Sequence, residues 1–290
     1  MKDWSATPST PLAYFRALVR GDDMPLLEAA ASIAQDAHPQ LDVQAFLADM
    51  DRLLERLRRR IAADAGPLQR LGLLQQFFYR ELGFCGNAND FLAPHNSYLH
   101  EVLRQRRGVP ISLAVLWLEL AHGVGLAAQG IAFPGHFLLE VRLAQGYVLL
   151  DPLTGATLAR EDVAEWLTPF LRQQGQGLDE EILWQLFLRA AEPRVIVARM
   201  LRNLQEIHRA QAEHVLLAAV CDRLLELEPE DWSVWRERGL ANAALGQADA
   251  ALADLQTYLD HAGDAEDAPA IQRQLAALRG QSGAGRFSWP

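Results

Sequence analysis

Three polar side chains in the middle of the chain have the types and order that nucleophilic catalysis uses: Ser112, His136 and Asp151. Ser112 falls in the first turn of a predicted helix, where the helix N-terminus stabilises a developing anion. A histidine held by a carboxylate can act as general base toward a nucleophile. The structural alternative stays open: Ser112 hydrogen-bonds only its own helical turn, and His136 and Asp151 form a structural hydrogen bond.

The elements that must position these residues follow from hydrophobic spacing. After Pro110, apolar residues recur at i, i+3, i+4 and i+7 and predict an amphipathic helix, which Gly123 and Gly125 stop. A period-two alternation then predicts a half-buried strand, with a turn at residues 144–146 and a return strand over residues 147–150. The helical positions are Leu113, Leu116, Trp117 and Leu120, and the alternating positions are Phe137, Leu139, Val141 and Leu143.

The register of this hairpin decides whether the histidine and the aspartate meet. If Leu143 faces Gly146 across a two-residue turn, Leu138 faces Asp151 and His136 lies two positions along, within diagonal reach on the same side. A three-residue turn without a bulge would place them on opposite faces. The order of helix and strands is typical of a papain-like or transglutaminase-like core.

The remaining chain reads as helical. We predict an N-terminal helical segment over residues 1–66 and the mixed core over 67–165, with a polar loop that includes Asn89 and Asp90. A helical connector follows over 166–196, rich in aromatic residues such as Trp166, Phe170, Trp184 and Phe187. Helical repeats over 197–280 and a flexible tail over 281–290 complete an α+β, mostly helical fold class.

The repeats are of tetratricopeptide type. Asp231 begins a helix, Gly246 makes the turn, and Gly239 and Ala251 are small where two helices approach closely. The preceding unit, about 198–231, is degenerate because Gln205 and Leu217 replace small residues. A helix over about 268–279, with Ile271, Leu275 and Leu278, is expected to cap the array; the alternative is a plain helical bundle.

Composition excludes several classes of function. With 27 basic and 37 acidic residues the formal charge is −10, which repels nucleic acid and anionic lipid. The one basic run, 56–60, is interpreted as a solvated helix face with a cationic last turn. Two distant cysteines, Cys85 and Cys221, favour a reducing, cytoplasmic location. No apolar run approaches a membrane span, and no metal-ligand, phosphate-loop or cofactor motif is present.

Four segments together resemble a known family: Asn96–Leu99, Arg107–Leu113, Phe133–Leu138 and Asp151–Pro152. The chain resembles the SirB family of bacterial proteins over about residues 30–280. The resemblance implies a transglutaminase-like core followed by C-terminal tetratricopeptide repeats. It also implies that Ser112 stands where transglutaminase-like enzymes have the catalytic cysteine, while His136 and Asp151 match the rest of the triad.

Two functions follow from this departure. The first is an interaction or regulatory protein without catalysis, whose repeats hold a protein or peptide of basic or apolar character. The second is an amide hydrolase or acyl transferase with a Ser112, His136 and Asp151 triad. Cys85 as a relocated nucleophile and a regulatory role in gene expression are weaker alternatives. Asn96, Arg107 and Trp235 are candidate binding residues; the sequence leaves the oligomeric state open.

Overall fold

The computed structural model describes residues 10–21, 23–87, 92–166 and 187–284, with side chains described to residue 280. Contacts divide the chain into two units. The core unit comprises residues 23–34 and 40–200, and the repeat unit comprises residues 1–22, 35–39 and 201–290. The predicted loop residues Asn89 and Asp90, and the predicted connector residues Phe170 and Trp184, lie outside the described residues.

Six described α-helices precede the main sheet in the chain. The first, α1, belongs to the repeat unit, and the other five belong to the core unit. The helical bounds, in chain order, are α1 Pro11–Val19, α2 Leu26–Ser32, α3 Val43–Arg58, α4 Pro67–Gln75, α5 Leu99–Gln105 and α6 Pro110–Gly123. A 3-10 turn, Ile33–Gln35, extends α2, and a wider π-helical turn, Gln76–Glu81, extends α4. A further 3-10 turn, Pro94–Asn96, precedes α5.

Helix α6 is the centre of the core unit. Its sequence predicts an amphipathic helix, but the structure buries it on nearly all sides: residues 111–118, Leu120 and Ala121 are all buried. It contacts α2, α3, α4, α5, β3 and β4, and only its last turn, at His122, is exposed. A helix that is apolar all round needs partners on every side, and here it has them.

Two sheets are formed by the described strands. A parallel pair joins β1 Cys85–Gly86 to β2 Arg107–Gly108. A four-stranded antiparallel meander follows in the order β3, β4, β5, β6. Its strands are β3 Ala128–Ile131, β4 Leu138–Leu143, β5 Gly146–Leu150 and β6 Thr157–Leu158.

The predicted hairpin register is confirmed, because Leu143 pairs with Gly146 and Leu139 with Leu150. The half-buried alternation predicted for β4 is only partly correct, because four consecutive residues from Leu138 to Val141 are buried. Leu138 packs in a cluster with Val163, which comes from the helical residues 160–166 and covers the second face of the sheet. Trp166 and Phe187 of the predicted connector pack against the same cluster.

The repeat unit is a series of antiparallel helices, and the first of them, α7, begins in the core unit. Their bounds are α7 Pro193–Ala210, α8 His214–Leu227, α9 Trp232–Ala244, α10 Ala248–Ala262 and α11 Ala268–Ala284. A Cβ atom at Gly239 would lie 2.8 Å from Leu255 Cγ, so the close approach predicted there is real. Gly246 adopts φ 72° in the turn, as the sequence predicts. Helix α11 buries Ile271, Leu275 and Leu278 beside α10.

Helix α1 packs on α8 within the repeat unit. The Arg16 guanidinium hydrogen-bonds the Glu226 carboxylate at 2.5 Å, and the Phe15 ring lies 5.4 Å beneath the guanidinium of buried Arg223. Arg223 also pairs with Asp36 at 2.6 Å. Part of the segment predicted as one N-terminal helical unit over residues 1–66 therefore belongs with the repeats, and the rest with the core.

Candidate active site

Ser112 lies at the third position of α6 and is fully buried. Pro110 occupies the first helical position, where its fixed φ suits the helix and its missing N–H costs nothing. The Ser112 Oγ is 2.6 Å from the main-chain oxygen of Asn96 and 3.0 Å from that of Val109. The hydroxyl therefore donates its one proton to backbone carbonyls.

Asn96 and Arg107 hold the loops around this serine. Asn96 is fully buried, its main-chain oxygen also accepts the Val109 N–H at 3.2 Å, and its Oδ1 accepts from Asn87 Nδ2 at 3.1 Å. Arg107 is exposed, and its Nη1 donates to the Gly83 oxygen at 3.0 Å. Both predicted binding residues therefore form hydrogen bonds within the protein, to its backbone or side chains.

Two neighbours complete the surroundings of the serine. Gly108 permits a close approach, because a Cβ there would lie 2.9 Å from Val102 Cγ1 and 3.0 Å from Ser112 Oγ. The sequence analysis did not predict that position 108 requires glycine, although Gly108 directly precedes the Val109-Pro110 pair. Cys85 is half-buried in β1, paired with Arg107, and no contact among the described residues joins it to His136.

His136 lies in the bend between β3 and β4, next to Gly135, which adopts φ 71°. Its ring stacks on the Trp166 indole with centroids 4.1 Å apart and planes 13° from parallel, while the residue stays exposed. Partial burial and the nearby Arg199 guanidinium lower the pKa of His136, and the Asp151 carboxylate opposes them. The neutral imidazole is therefore favoured near neutral pH, as a general base requires.

Asp151 organises the turn after β5. Its Oδ1 accepts the Leu153 N–H at 2.9 Å, and its Oδ2 accepts the Thr154 hydroxyl at 2.8 Å. Nearby, the hydroxyl of half-buried Tyr79 donates to the Pro152 oxygen at 3.1 Å, and burial together with the Asp151 charge raises the pKa of Tyr79. Asp151 thus acts electrostatically on His136 while its oxygens bind the turn.

The structure brings two of the three predicted triad residues into one electrostatic neighbourhood. His136 and Asp151 interact through charge, but in the part of the chain that the structure describes no hydrogen bond joins His136 to Ser112 or to Asp151. Two residues that sequence reasoning did not assign to the site are Trp166 and Arg199. Arg199 donates to the Phe133 oxygen at 3.0 Å and lies 5.8 Å from the Phe137 ring, and no sequence signal marks it.

Trp235, the candidate binding residue of the repeats, also has internal contacts. Its Nε1 donates to the Pro229 oxygen at 2.9 Å, and the Arg238 guanidinium lies 4.8 Å over its ring. Arg238 in turn pairs with Asp222 and Asp254, which links α8, α9 and α10. A role for Trp235 in binding stays a prediction.

Among the described residues, no three or more His, Cys, Asp or Glu side chains are grouped so that they could hold a metal ion. None of the described helices combines the length and the apolar character that crossing a bilayer requires.

Comparison with known proteins bears on both units. Residues 44–202 match the family model of the transglutaminase-like superfamily, and residues 204–276 match a tetratricopeptide repeat model. A UPF0162 protein of Xylella fastidiosa is 35% identical over 251 residues, covering 86% of this chain and 88% of its own length. A UPF0162 protein of Pseudomonas aeruginosa is 35% identical over 205 residues, covering 70% and 72%.

A further similarity is to Protein SirB1 of Salmonella typhimurium, at 24% identity over 235 residues, covering 79% of this chain and 84% of that protein. No solved structure matches. The two family matches, with the helices and the small sheets described above, confirm the fold class predicted from the sequence.

We expect Ser112→Ala to lower the free energy of unfolding by about 1–2 kcal/mol, because it removes a buried hydrogen bond to the Asn96 carbonyl. Ser97→Ala is the matched control: Ser97 is also buried, and its hydroxyl has no hydrogen-bond partner among the described residues. Urea unfolding followed by circular dichroism measures both. Equal effects of the two substitutions would contradict a structural role of the Ser112 hydroxyl.

The lowered pKa of His136 gives a pH dependence of stability. As pH falls, the unfolded ring, with a pKa of about 6.5, takes up a proton before the folded ring does. The contribution of His136 to the free energy of unfolding is therefore complete above that pH and is lost as pH falls below it. In NMR titrations of the ring, Arg199→Gln should raise the pKa of His136 and Asp151→Asn should lower it further. A rise of the pKa in Asp151→Asn would show that the carboxylate does not act on the ring.

Proposed function

Because this chain belongs to the transglutaminase-like superfamily, in the SirB family of UPF0162 proteins, and carries tetratricopeptide repeats, we propose that it is a non-catalytic protein-interaction protein. One observation carries the proposal: the Ser112 hydroxyl is fully buried and donates to a main-chain carbonyl. A carbonyl oxygen is too weak a base to activate a hydroxyl. Two free cysteines agree with a reducing, cytoplasmic setting.

The chemistry of the missing thiol supports the same conclusion. A serine hydroxyl has a far higher pKa than a cysteine thiol and attacks only when an aligned base removes its proton. At this position the hydroxyl is enclosed by Asn96, Val109 and Gly108 instead. An acyl substrate would need this packing to open before it reached the oxygen.

The competing function is an amide hydrolase or acyl transferase. The feature in its favour is His136, which is exposed, has a lowered pKa and feels the charge of Asp151. These are properties of a general base. In a non-catalytic protein, His136 and Asp151 would be what remains of a triad, and they would be available to bind a polar group of a peptide.

The partner that fits the repeats is a polypeptide of basic character. Residues 201–290 contain 14 acidic and eight basic residues, so they carry −6 of the total charge of −10. Several of the arginines are already paired inside the unit, including Arg202 with Asp231 at 2.6 Å and Arg238 with Asp254 at 2.7 Å. Glu230, Asp249 and Asp264 are exposed and lie outside these pairs, and such acids would attract a basic segment and repel nucleic acid.

Chemical labelling separates the two functions. A serine-directed fluorophosphonate should modify the wild-type protein no faster than Ser112→Ala, because the hydroxyl is buried. In a Cys85→Ser background, the thiol of Ser112→Cys should resist iodoacetamide until the protein is denatured. Mass spectrometry reads both results. A phosphonate adduct on Ser112 that His136→Asn abolishes would establish the enzyme instead.

Peptide binding tests the interaction function. An alternating Lys-Leu peptide should bind the full-length protein more tightly than a Glu-Leu peptide of equal length, with affinity that falls as salt is raised, because exposed charges are screened. Fluorescence polarisation measures both affinities. Neutralising exposed acids of the repeats should weaken binding, whereas the same number of changes on the core unit should not. The repeat set is Glu230→Gln, Asp249→Asn and Asp264→Asn, and the control set is Asp51→Asn, Asp64→Asn and Glu165→Gln.

Equal binding of the two peptides, or equal losses in the two sets of variants, would argue against a basic partner on the repeats. The peptide-binding result does not depend on Ser112. A basic partner can therefore be ruled out by peptide binding even if the labelling experiment shows that Ser112 is unreactive.

A further inference from the structure

A cavity of about 690 Å³ lies between α3 and α5 in the core unit. Its volume is within the range of small-molecule sites. Buried apolar side chains of Phe46, Leu53 and Leu103 form part of its wall. The cavity shares no lining residue with the candidate triad, and the proposed function does not use it.

The polar lining is basic, although the chain is acidic overall. Four arginines line the cavity against two aspartates, Asp42 and Asp49. Asp42 accepts the Ala45 N–H as the cap of α3, and Asp49 pairs with Arg52. Arg104 pairs with Glu101 at 2.5 Å. Two of the four arginines are thus neutralised by neighbours.

The other two arginines, Arg56 and Arg106, form no ion pair in the ranges that the structure describes. Each lies near an aromatic ring instead, with Arg56 Cζ 5.6 Å from the Phe77 centroid and Arg106 Cζ 4.6 Å from the Phe84 centroid. Burial and the like charge of Arg56 lower the pKa of Arg106, and the Asp49 carboxylate opposes them. An anion placed between the two guanidinium groups would remove this repulsion.

Arg106 also holds an unusual backbone conformation. It follows the last residue of α5 with φ 60° and ψ 26°, the left-handed region in which helices commonly end on glycine. An arginine there costs free energy that glycine would not. Its Nη1 is buried, and no described residue accepts a hydrogen bond from it. Strain and an unused buried donor at one residue are typical of a binding position.

We propose that this cavity binds a small amphipathic organic anion. Its phosphate or carboxylate group lies between Arg56 and Arg106, where planar guanidinium groups donate paired hydrogen bonds to either group. Its apolar body lies against Phe46, Leu53 and Leu103. The site is separate from peptide binding by the repeats.

The test uses the full-length protein and isothermal titration calorimetry. Octyl phosphate and octanoate, each below its micelle concentration, represent the two acidic groups with the same apolar body. We expect at least one of them to bind at least tenfold more tightly than octanol, which lacks the charge, and more tightly than inorganic phosphate, which lacks the apolar body. Affinity for that anion should fall as salt is raised.

Arg106→Gly is the decisive variant, because glycine suits φ 60° and the fold should be retained or stabilised. We expect it to weaken binding of the anion at least tenfold, and Arg56→Gln to do the same. Arg59→Gln is the matched control: it removes one charge from the end of the same helix but does not line the cavity. Thermal melts without ligand confirm that each variant is folded.

Any one of three calorimetric results would overturn the proposal. They are equal affinity for octanol and the anions, unchanged affinity in a folded Arg106→Gly, and an equal loss in Arg59→Gln. Co-sedimentation with phosphatidylglycerol vesicles, without binding of monomeric octyl phosphate or octanoate, would also overturn it, because the occupant would then be a membrane surface.

Discussion

The core unit depends on the burial of the first turn of α6. The helix is enclosed on nearly all sides, so its N-terminal residues must satisfy their polar groups within the protein. The Ser112 hydroxyl does so by donating to the Asn96 carbonyl, and Gly108 leaves room for this contact. A nucleophile needs the opposite surroundings, with an exposed oxygen and a base beside it. Packing and catalysis therefore compete for one hydroxyl.

The surroundings of His136 contrast with those of Ser112. The imidazole is exposed, stacks on Trp166 and is affected by the charges of Arg199 and Asp151. Asp151 has both carboxylate oxygens engaged in its own turn, yet its charge still acts on the ring. The acid and the base thus keep an electrostatic relation, while the Ser112 hydroxyl is bound to main-chain oxygens.

The repeat unit balances its charge in a different way. Arg238 joins three helices through Asp222 and Asp254, and Arg202 pairs with Glu228 and Asp231. These pairs use two arginines and four acids, and further acids of the unit, such as Glu230, Asp249 and Asp264, are exposed. In the core unit the balance is reversed at the cavity between α3 and α5, where Arg56 and Arg106 form no ion pair among the described residues.

The sequence by itself determined the local elements: the hairpin register at Leu143 and Gly146, the repeat helices with Gly239 and Gly246, and the order of helix and strands. These follow from spacings within a few residues, which helix and strand geometry fix directly. Only the tertiary structure decided that Ser112 donates to a carbonyl 16 residues away, that Trp166 stacks on His136, and that α1 packs on α8. Such contacts join residues far apart in the chain, so they depend on how the elements pack and not on any local pattern.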